Sequence, residues 1–201
     1  MTEDKKMNPA RAHRLDDPAR KKELPPAAIV ELVQPFAGMA FADLGAGTGY
    51  CTLAVAEALG GAGRIYALDA QEEVLALLRG KLATHPHGAT IEPILTPDDA
   101  LTLPAATVDA LLCCNAYHEL PDPERYVHEL WRVLKPGGRL VLIDWQPLPP
   151  GAERLKGPPA HHRVAVDTAA AQLRAAGFIE IERHDIFALH WALTAKKAAA
   201  S

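Results

Sequence analysis

The sequence predicts an α/β fold in which a seven-stranded, mostly parallel sheet carries helices on both faces. Strand-like apolar runs alternate with segments of helical periodicity, and acidic or amide residues follow several of the strands. Such alternation favours parallel strands joined by right-handed crossovers. The predicted strands are 39–44, 64–68, 90–95, 108–114, 140–145, 178–186 and 188–195, and the predicted helices are 27–33, 52–59, 72–82, 121–134 and 168–176.

A glycine-rich turn joins the first strand to its helix and predicts a nucleotide-binding site. The segment 41–49, Phe-Ala-Asp-Leu-Gly-Ala-Gly-Thr-Gly, has the spacing G-x-G-x-G. Dinucleotide sites use G-x-G-x-x-G and place pyrophosphate at the helix N-terminus. Asp43, two residues before the first glycine, would repel pyrophosphate but suits a cationic ligand, such as one with an ammonium group. Glycine also lets the backbone approach that ligand closely.

The second strand is predicted to end at an acidic residue that binds a ribose. Asp69 lies 20 residues beyond Gly49 (69 − 49) and follows an apolar run. In doubly wound nucleotide-binding folds an acidic side chain at this place accepts hydrogen bonds from the ribose hydroxyls. The alternative is that Asp69 caps the helix starting near Gln71, and both roles can coexist.

Composition and charge narrow the function classes. The chain has 201 residues, 49% of them hydrophobic and 23% charged, with a net charge of −4. The negative charge argues against nucleic acid or an anionic membrane as the main partner. No apolar run of about 18 residues and no apolar signal-peptide core is found in the sequence, which leads us to expect a cytoplasmic protein without a membrane partner.

The expected organisation is one domain over residues 25–201, preceded by a flexible segment over residues 1–24. Residues 146–166, rich in proline and histidine, are expected to form a lid or substrate loop over the sheet edge. His161, His162 and Arg163 are candidate contacts to an anionic or metal-bearing substrate, and a solvated loop is the alternative. No metal is expected, because the sequence has no Cys/His quartet with suitable spacing.

From about residue 27 onward the chain resembles a class I S-adenosylmethionine (SAM) dependent methyltransferase, closest to the ubiquinone/menaquinone-biosynthesis-like branch. The resemblance implies a Rossmann-like sheet with an antiparallel last strand, SAM as cofactor and transfer of its methyl group to a small-molecule acceptor. The segments that carry it are 43–49 (DLGAGTG), 66–69 (YALD), 99–104 (DALTLP), 108–110 (VDA) and 129–140 (ELWRVLKPGGRL).

The resemblance also implies which residues bind the cofactor. Asp43 and the glycine turn hold the methionine end, Asp69 holds the ribose, and Asp99 holds the adenine, with Asp98 as the competing candidate. Residues 13–17 are a candidate segment for closing over bound SAM, with a plain disordered terminus as the alternative. The complete cofactor-binding set is Asp43, Gly45, Ala46, Gly47, Thr48, Gly49, Asp69, Ala70, Asp99, Ala100 and Asn115.

The candidate catalytic residues directly follow the fourth strand. His118 is a candidate general base because an imidazole titrates near neutral pH, and the alternative is that it packs against the next helix. Tyr117 is the second candidate, and we expect it to form a wall of the acceptor pocket rather than to take part in the chemistry. The sequence from Asn115 to His118 lacks the two prolines common in methyltransferases that act on nucleic-acid amino groups. Their absence argues against a nucleic-acid amino group as the methyl acceptor.

Two other functions remain open at this point. One is a non-catalytic protein that binds SAM for regulation or assembly. The other is an NAD(P)-dependent oxidoreductase, disfavoured by the glycine spacing and by the absence of a Tyr-x-x-x-Lys pair in the sequence. A homodimer is also left open.

Overall fold

A computed structural model describes residues 8–97, 99–149 and 151–199 of the chain. Its α-helices and strands, in chain order, are α1 (Arg20–Glu23), α2 (Pro26–Val33), β1 (Met39–Leu44), α3 (Tyr50–Leu59), β2 (Gly63–Asp69), α4 (Glu72–Leu82), β3 (Ile91–Leu95), β4 (Val108–Cys114), α5 (Pro123–Val133), β5 (Leu134–Trp145), α6 (Val166–Ala175), β6 (Phe178–His184) and β7 (His190–Lys197). Short 3-10 helices cover Pro9–Asp16, Gly88–Thr90, Tyr117–Glu119 and Ala160–His162.

The seven strands form one sheet in the order β3-β2-β1-β4-β5-β7-β6. All neighbouring pairs from β3 to β5 are parallel, and β7 is antiparallel to both β5 and β6. The predicted fold, a mostly parallel seven-stranded sheet with an antiparallel last strand, is confirmed. Because the strand order reverses between β1 and β4, a ligand site is expected at their carboxyl ends.

Helices cover both faces of the sheet and create two hydrophobic layers. On one face α2, α3 and α4 pack against the sheet, and their buried side chains include Ile29, Val55 and Leu78. On the other face α5 and α6 supply Leu130 and Leu173. Strand β4 is buried on both faces, as expected for a central parallel strand.

The start of β5 differs from the prediction. The sequence placed this strand at 140–145, after a helix break at Pro136-Gly137-Gly138, but β5 begins at Leu134. Leu134 pairs with Val108, and the register then shifts so that Arg139 pairs with Ala110. The intervening residues bulge from the strand, where Lys135 Nζ lies 2.8 Å from Asp109 Oδ1. A bulge cannot be recognised from the apolar pattern, because its residues do not alternate.

The N-terminal part of the described chain contains a 3-10 helix over Pro9–Asp16 and the single helical turn α1. The flexibility predicted for residues 1–24 and the domain start at residue 25 stay predictions, and residues 1–7 lie outside the described part. Within the described residues, no helix is long and apolar enough to span a membrane.

Candidate active site

The glycine turn adopts a backbone that only glycine accommodates easily. Gly45, Gly47 and Gly49 have φ values of 72°, 57° and 92°, in the left-handed region that disfavours side chains. A Cβ atom on Gly45 would lie 2.4 Å from the Cβ of Ala116, so the turn is also packed tightly. The backbone amides of Gly45 and Ala46 donate to the Leu68 carbonyl oxygen at 2.8 and 3.0 Å, which fixes the turn against β2.

Asp43 lies in β1 just before the turn and is only 1% exposed. Its Oδ2 accepts a hydrogen bond of 2.6 Å from the Thr52 hydroxyl on α3. Burial raises the pKa of Asp43 from 3.8 to about 7, against the lowering effects of the Thr52 hydrogen bond and the Arg20 charge. A nearby cation would favour the ionised carboxylate, so this site suits a positively charged ligand group.

Asp69, the last residue of β2, connects the turn to the next helix. The amide of Gly47 donates to Asp69 Oδ2 at 2.9 Å, and the amide of Gln71 donates to Oδ1 at 3.0 Å. The carboxylate therefore lies beside the turn and directly before α4, which begins at Glu72. Both predicted roles, ribose binding and ordering of the helix start, remain compatible with this position.

The segment before α1 lies against the glycine turn. Asp16 Oδ1 accepts from the Thr48 hydroxyl at 2.8 Å and from Lys81 Nζ at 2.6 Å, and Lys81 also donates to the Thr48 carbonyl at 2.8 Å. Leu15 covers Gly47, since its Cδ1 would be 2.9 Å from a Cβ at that position. Residues 15 and 16 thus contact the predicted cofactor turn, while closure of residues 13–17 over the cofactor stays a prediction.

The predicted adenine-binding residues follow β3. Thr96 donates from its amide to the Asp69 carbonyl at 2.9 Å and from its hydroxyl to the Ala100 carbonyl at 3.2 Å. These bonds hold the loop with Asp99 and Ala100 beside the end of β2, where Ala70 also lies. Asp99 is exposed and Ala100 half-buried. Asp98, the competing candidate, lies outside the described residues.

Asn115 directly follows β4 with an unusual backbone and a buried side-chain oxygen. Its φ is 58°, and its amide donates to the Ile143 carbonyl at 2.8 Å. Its Oδ1 is buried and accepts no hydrogen bond from the described part of the chain. A buried polar atom of this kind usually has a partner, so Asn115 is suited to accept a hydrogen bond from a ligand.

His118 forms a buried pair with Asp144 near the end of β5. The imidazole is 5% exposed, and its Nδ1 lies 2.8 and 3.0 Å from the two carboxylate oxygens of Asp144. Asp144 also accepts from the amides of His118 and Trp145, at 2.9 and 2.7 Å. Burial alone lowers the pKa of His118, but the Asp144 hydrogen bond and charge, with Glu119, raise it above 6.5 overall.

This pairing was not predicted from the sequence. The carboxylate and the imidazole are 26 residues apart in the chain and meet only because β4 and β5 are neighbours. With Nδ1–H donating to Asp144, the Nε2 lone pair is the basic position. Glu119 Oε1 lies 3.8 Å from Nε2, beyond hydrogen-bond distance.

Tyr117 lies in the core between the sheet and α6. Its hydroxyl donates to Gln172 Oε1 at 2.6 Å, and its ring packs edge-on against Trp191 with centroids 6.4 Å apart. Burial raises the pKa of the Tyr117 hydroxyl above its usual value. These contacts favour a packing role, and a part in catalysis or in the acceptor pocket stays a prediction.

The connection between β5 and α6 is held by Arg163. Its guanidinium donates to the carbonyl oxygens of Gln146 and Pro158 at 2.8 and 3.1 Å and also to that of Lys156. These bonds make Arg163 an organiser of residues 146–165. Whether it, His161 or His162 contacts a substrate stays a prediction. Across the described residues, no group of three or more His, Cys, Asp or Glu side chains could hold a metal ion.

The strand order, the glycine turn and the acidic residues at the carboxyl ends define a nucleotide-binding α/β protein of the class I methyltransferase type. A family model described as "Methyltransferase domain" matches residues 42–142. The solved structure of a SAM-dependent methyltransferase from Aquifex aeolicus superimposes with a TM-score of 0.86 at 28% identity, covering 95% of this chain and 99% of that one.

Two curated relatives belong to quinone biosynthesis by name. A demethylmenaquinone methyltransferase of Desulfitobacterium hafniense (strain Y51) is 35% identical over 148 residues, which are 72% of this chain and 55% of that protein. The ubiquinone/menaquinone biosynthesis C-methyltransferase UbiE of Hydrogenovibrio crunogenus is 30% identical over 103 residues, 51% of this chain and 41% of that protein. The chain thus spans about half the length of these relatives.

The chain belongs to the methyltransferase-domain family and is similar to the UbiE-like branch of class I SAM-dependent methyltransferases. SAM is its cofactor. Membership of this family argues against the oxidoreductase, while turnover with a methyl acceptor distinguishes an enzyme from the non-catalytic SAM-binding protein. The resemblance stated from the sequence is therefore confirmed.

Proposed function

We propose that the methyl acceptor is a small aromatic molecule carrying a ring hydroxyl, and that His118 removes the proton of this hydroxyl. The observation that carries the proposal is the buried pair of His118 and Asp144. An acceptor without an acidic proton would not need such a base. The names of the two curated relatives refer to demethylmenaquinone and to quinone biosynthesis, which supports a quinol-type ring as the acceptor.

The residues of the glycine turn and the strand ends fit SAM. Asp43 suits the ammonium group of the methionine end, since a cation beside its buried carboxylate would favour the ionised form. The turn residues 45–49 bring backbone close to the ligand, and the unpartnered Oδ1 of Asn115 can accept an N–H of the cofactor. We assign Asp69 with Ala70 to the ribose and Asp99 with Ala100 to the adenine.

His118 and Asp144 provide the proton chemistry. Asp144 fixes the imidazole so that Nε2 accepts the hydroxyl proton, and its negative charge stabilises the imidazolium that forms. Bound SAM supplies an electrophilic methyl group, whose bond to sulfur breaks as a bond to the acceptor oxygen or an activated ring carbon forms, leaving S-adenosylhomocysteine. Positioning of the acceptor by the site contributes the larger part of the rate acceleration.

The remaining partner assignments also belong to the proposal. The net charge of −4 supports a small molecule over nucleic acid or an anionic membrane as the partner. A cytoplasmic location, a homodimer and a lid function for residues 146–166 stay predictions. The lid is supported by the ion pair between Lys156 and Glu23, which joins this connection to α1.

The test replaces the base and measures binding and turnover separately. His118→Ala should lower kcat on 1,4-naphthohydroquinone, assayed without oxygen, by about 10²–10⁴-fold, the usual contribution of a general base. The Kd of SAM, measured by calorimetry, should remain at the wild-type value. His128→Ala, an exposed histidine on α5, is the matched control. Wild-type turnover by His118→Ala would refute the assignment of the base.

A further inference from the structure

His190 is a buried histidine to which the proposed chemistry assigns no role. It begins β7 and pairs with Trp145 across the antiparallel strands. Because β7 runs opposite to β5, its first residue lies at the carboxyl edge of the parallel strands, the same edge as His118. The imidazole is 1% exposed, and neither ring nitrogen has a hydrogen-bond partner among the residues that the structure describes.

Two unpaired nitrogens in a buried ring are costly, because each loses its hydrogen bonds to water without replacement. A native protein rarely retains such a ring without a functional reason. Purely structural packing would be served better by an apolar ring of the same size. The position of His190 in the fold therefore indicates a partner that is not part of the chain.

The surroundings of His190 are formed by Trp145 and the connection that follows β5. Its ring lies against Trp145, with centroids 4.2 Å apart. The connection after β5 packs on the same indole, since a Cβ on Gly157 would lie 2.6 Å from it and the Arg163 guanidinium lies 5.4 Å from its centroid. Glu23 of α1 pairs with Lys156 of the connection. His190 and the connection after β5 thus pack against the same indole, and α1 is paired with that connection.

The charges around His190 are balanced. Two guanidiniums, Arg20 and Arg163, and two carboxylates, Glu23 and Asp144, act on the ring. Burial lowers the pKa of His190 to about 4, although Asp144 favours the charged form. The imidazole is therefore neutral near pH 7, with one N–H donor and one acceptor nitrogen. Asp144 and Arg163 also act on His118, as expected for two histidines at the same edge of the sheet.

We propose that His190 is a specificity-determining residue that binds a second, uncharged oxygen of the acceptor, remote from the hydroxyl that His118 deprotonates. A neutral imidazole in balanced surroundings suits a hydroxyl or carbonyl group and offers no net charge for a carboxylate. This inference rests on the proposed function, because it assumes a ring acceptor at His118. It predicts an acceptor with two oxygen substituents on the ring system.

The experiment compares two acceptors that differ in one oxygen, 1,4-naphthohydroquinone and 1-naphthol, in wild type and His190→Phe. Phenylalanine keeps a ring against Trp145 but removes both nitrogens. We expect kcat/KM on the hydroquinone to fall about fivefold to tenfold, the effect of one lost neutral hydrogen bond, and kcat/KM on 1-naphthol to stay unchanged. His190→Asn, which retains a donor and an acceptor, should recover part of the loss on the hydroquinone.

Thermal unfolding without ligand provides a readout that is independent of the acceptor. His190→Phe should keep or raise the unfolding midpoint, because it removes two unpaired polar atoms. The matched control is His184→Phe on β6, where Nε2 lies 2.8 Å from the Thr194 hydroxyl. This variant should lower the midpoint and leave the ratio of the two acceptors unchanged.

The possible results separate the inference from the function on which it rests. The ratio of kcat/KM on the hydroquinone to kcat/KM on 1-naphthol can stay unchanged in His190→Phe while the unfolding midpoint falls. That result would make His190 a structural residue and overturn the inference alone. If the wild-type enzyme binds SAM but methylates neither 1,4-naphthohydroquinone nor 1-naphthol, the proposed acceptor class is overturned and the inference with it.

Discussion

The carboxyl edge of the sheet has two halves that are built differently. The cofactor half consists of residues 43–49 and Asp69 and uses mainly backbone contacts, such as the amides that donate to the Asp69 carboxylate. The proposed acceptor half consists of two side-chain pairs, His118 with Asp144 and Trp145 with His190. The two halves also differ in sequence distance. The cofactor half is largely one continuous turn, whereas the residues of the acceptor half come from separate segments of the chain.

This difference matches what each half must do. The cofactor is the same in every turnover, and a turn fixed by amides and glycine conformations holds it in one place. The acceptor must lose a proton and be oriented for transfer, which requires titratable side chains with open positions. In the acceptor half such positions are His118 Nε2 and the two ring nitrogens of His190.

The largest expected effect tests whether the acceptor half is independent of cofactor binding. Asp144→Asn removes the charge beside His118 and should lower kcat by about 10²–10³-fold, as expected for an impaired general base. Since Asp144 raises the pKa of His118, the acid limb of the kcat/KM profile should also shift to lower pH. Initial rates over a pH series measure both effects.

The same variant should bind SAM as the wild type does, because the hydrogen bonds that Asp144 accepts come from His118 and from the Trp145 amide, both in the acceptor half. Calorimetric titration with SAM measures this. A loss of SAM affinity as large as the loss of kcat would show that the two halves are one coupled unit, and the comparison would fail.

A smaller effect is expected from crowding the cofactor half. Gly45→Ala places a methyl group 2.4 Å from the Ala116 Cβ at a φ of 72°. We expect SAM affinity to weaken about 30-fold, equivalent to about 2 kcal/mol of steric strain. Calorimetry with SAM measures the effect. Gly137→Ala is the matched control, because its φ is 76° but nothing lies within 4 Å of the added Cβ.

Both glycine variants should lose stability from the left-handed backbone, by about 1–2 kcal/mol each. Only Gly45→Ala should lose SAM affinity. Equal SAM affinities in the two variants would mean that the turn adjusts to the extra methyl group, and the cofactor half would be less rigid than its contacts indicate. Denaturant unfolding of both proteins separates the backbone effect from the effect on binding.

The two halves also differ in how far the sequence predicts them. The alternation of strands with helices and the glycine turn follow from local patterns, since Asp43, the three glycines and Asp69 stand at fixed places around two strands. The pair of His118 with Asp144 requires knowing that β4 and β5 are neighbours, and His190 requires the antiparallel register of β7 with β5. No periodicity in the chain reports such contacts.

The predicted start of β5 was wrong for a related reason. Lys135 to Gly138 have the residue types of a helix stop, and only the pairing of Leu134 with Val108 shows that the strand has already begun. Local composition predicts where a segment changes direction. It does not predict which neighbour satisfies the backbone after that change.

The smallest expected effect concerns the charge of Asp43 in the cofactor half. Burial raises its pKa from 3.8 to about 7, so between these values the folded protein holds a proton that the unfolded chain has lost. The contribution of Asp43 to stability therefore falls as pH rises through this window. Binding of a cationic ligand requires the ionised form, so SAM affinity should rise about tenfold between about pH 6 and pH 8.

The contribution of Asp43 to stability falls with pH while SAM affinity rises with pH, and one variant should remove both dependences. In Asp43→Asn the side chain cannot ionise, so the pH dependence of unfolding and of SAM affinity should each lose the part that Asp43 supplies. Ionisation of SAM itself is common to both proteins and cancels in the difference. If wild type and variant keep the same two slopes, Asp43 does not titrate near pH 7, and the cofactor half would recognise the cation without a change in its own charge.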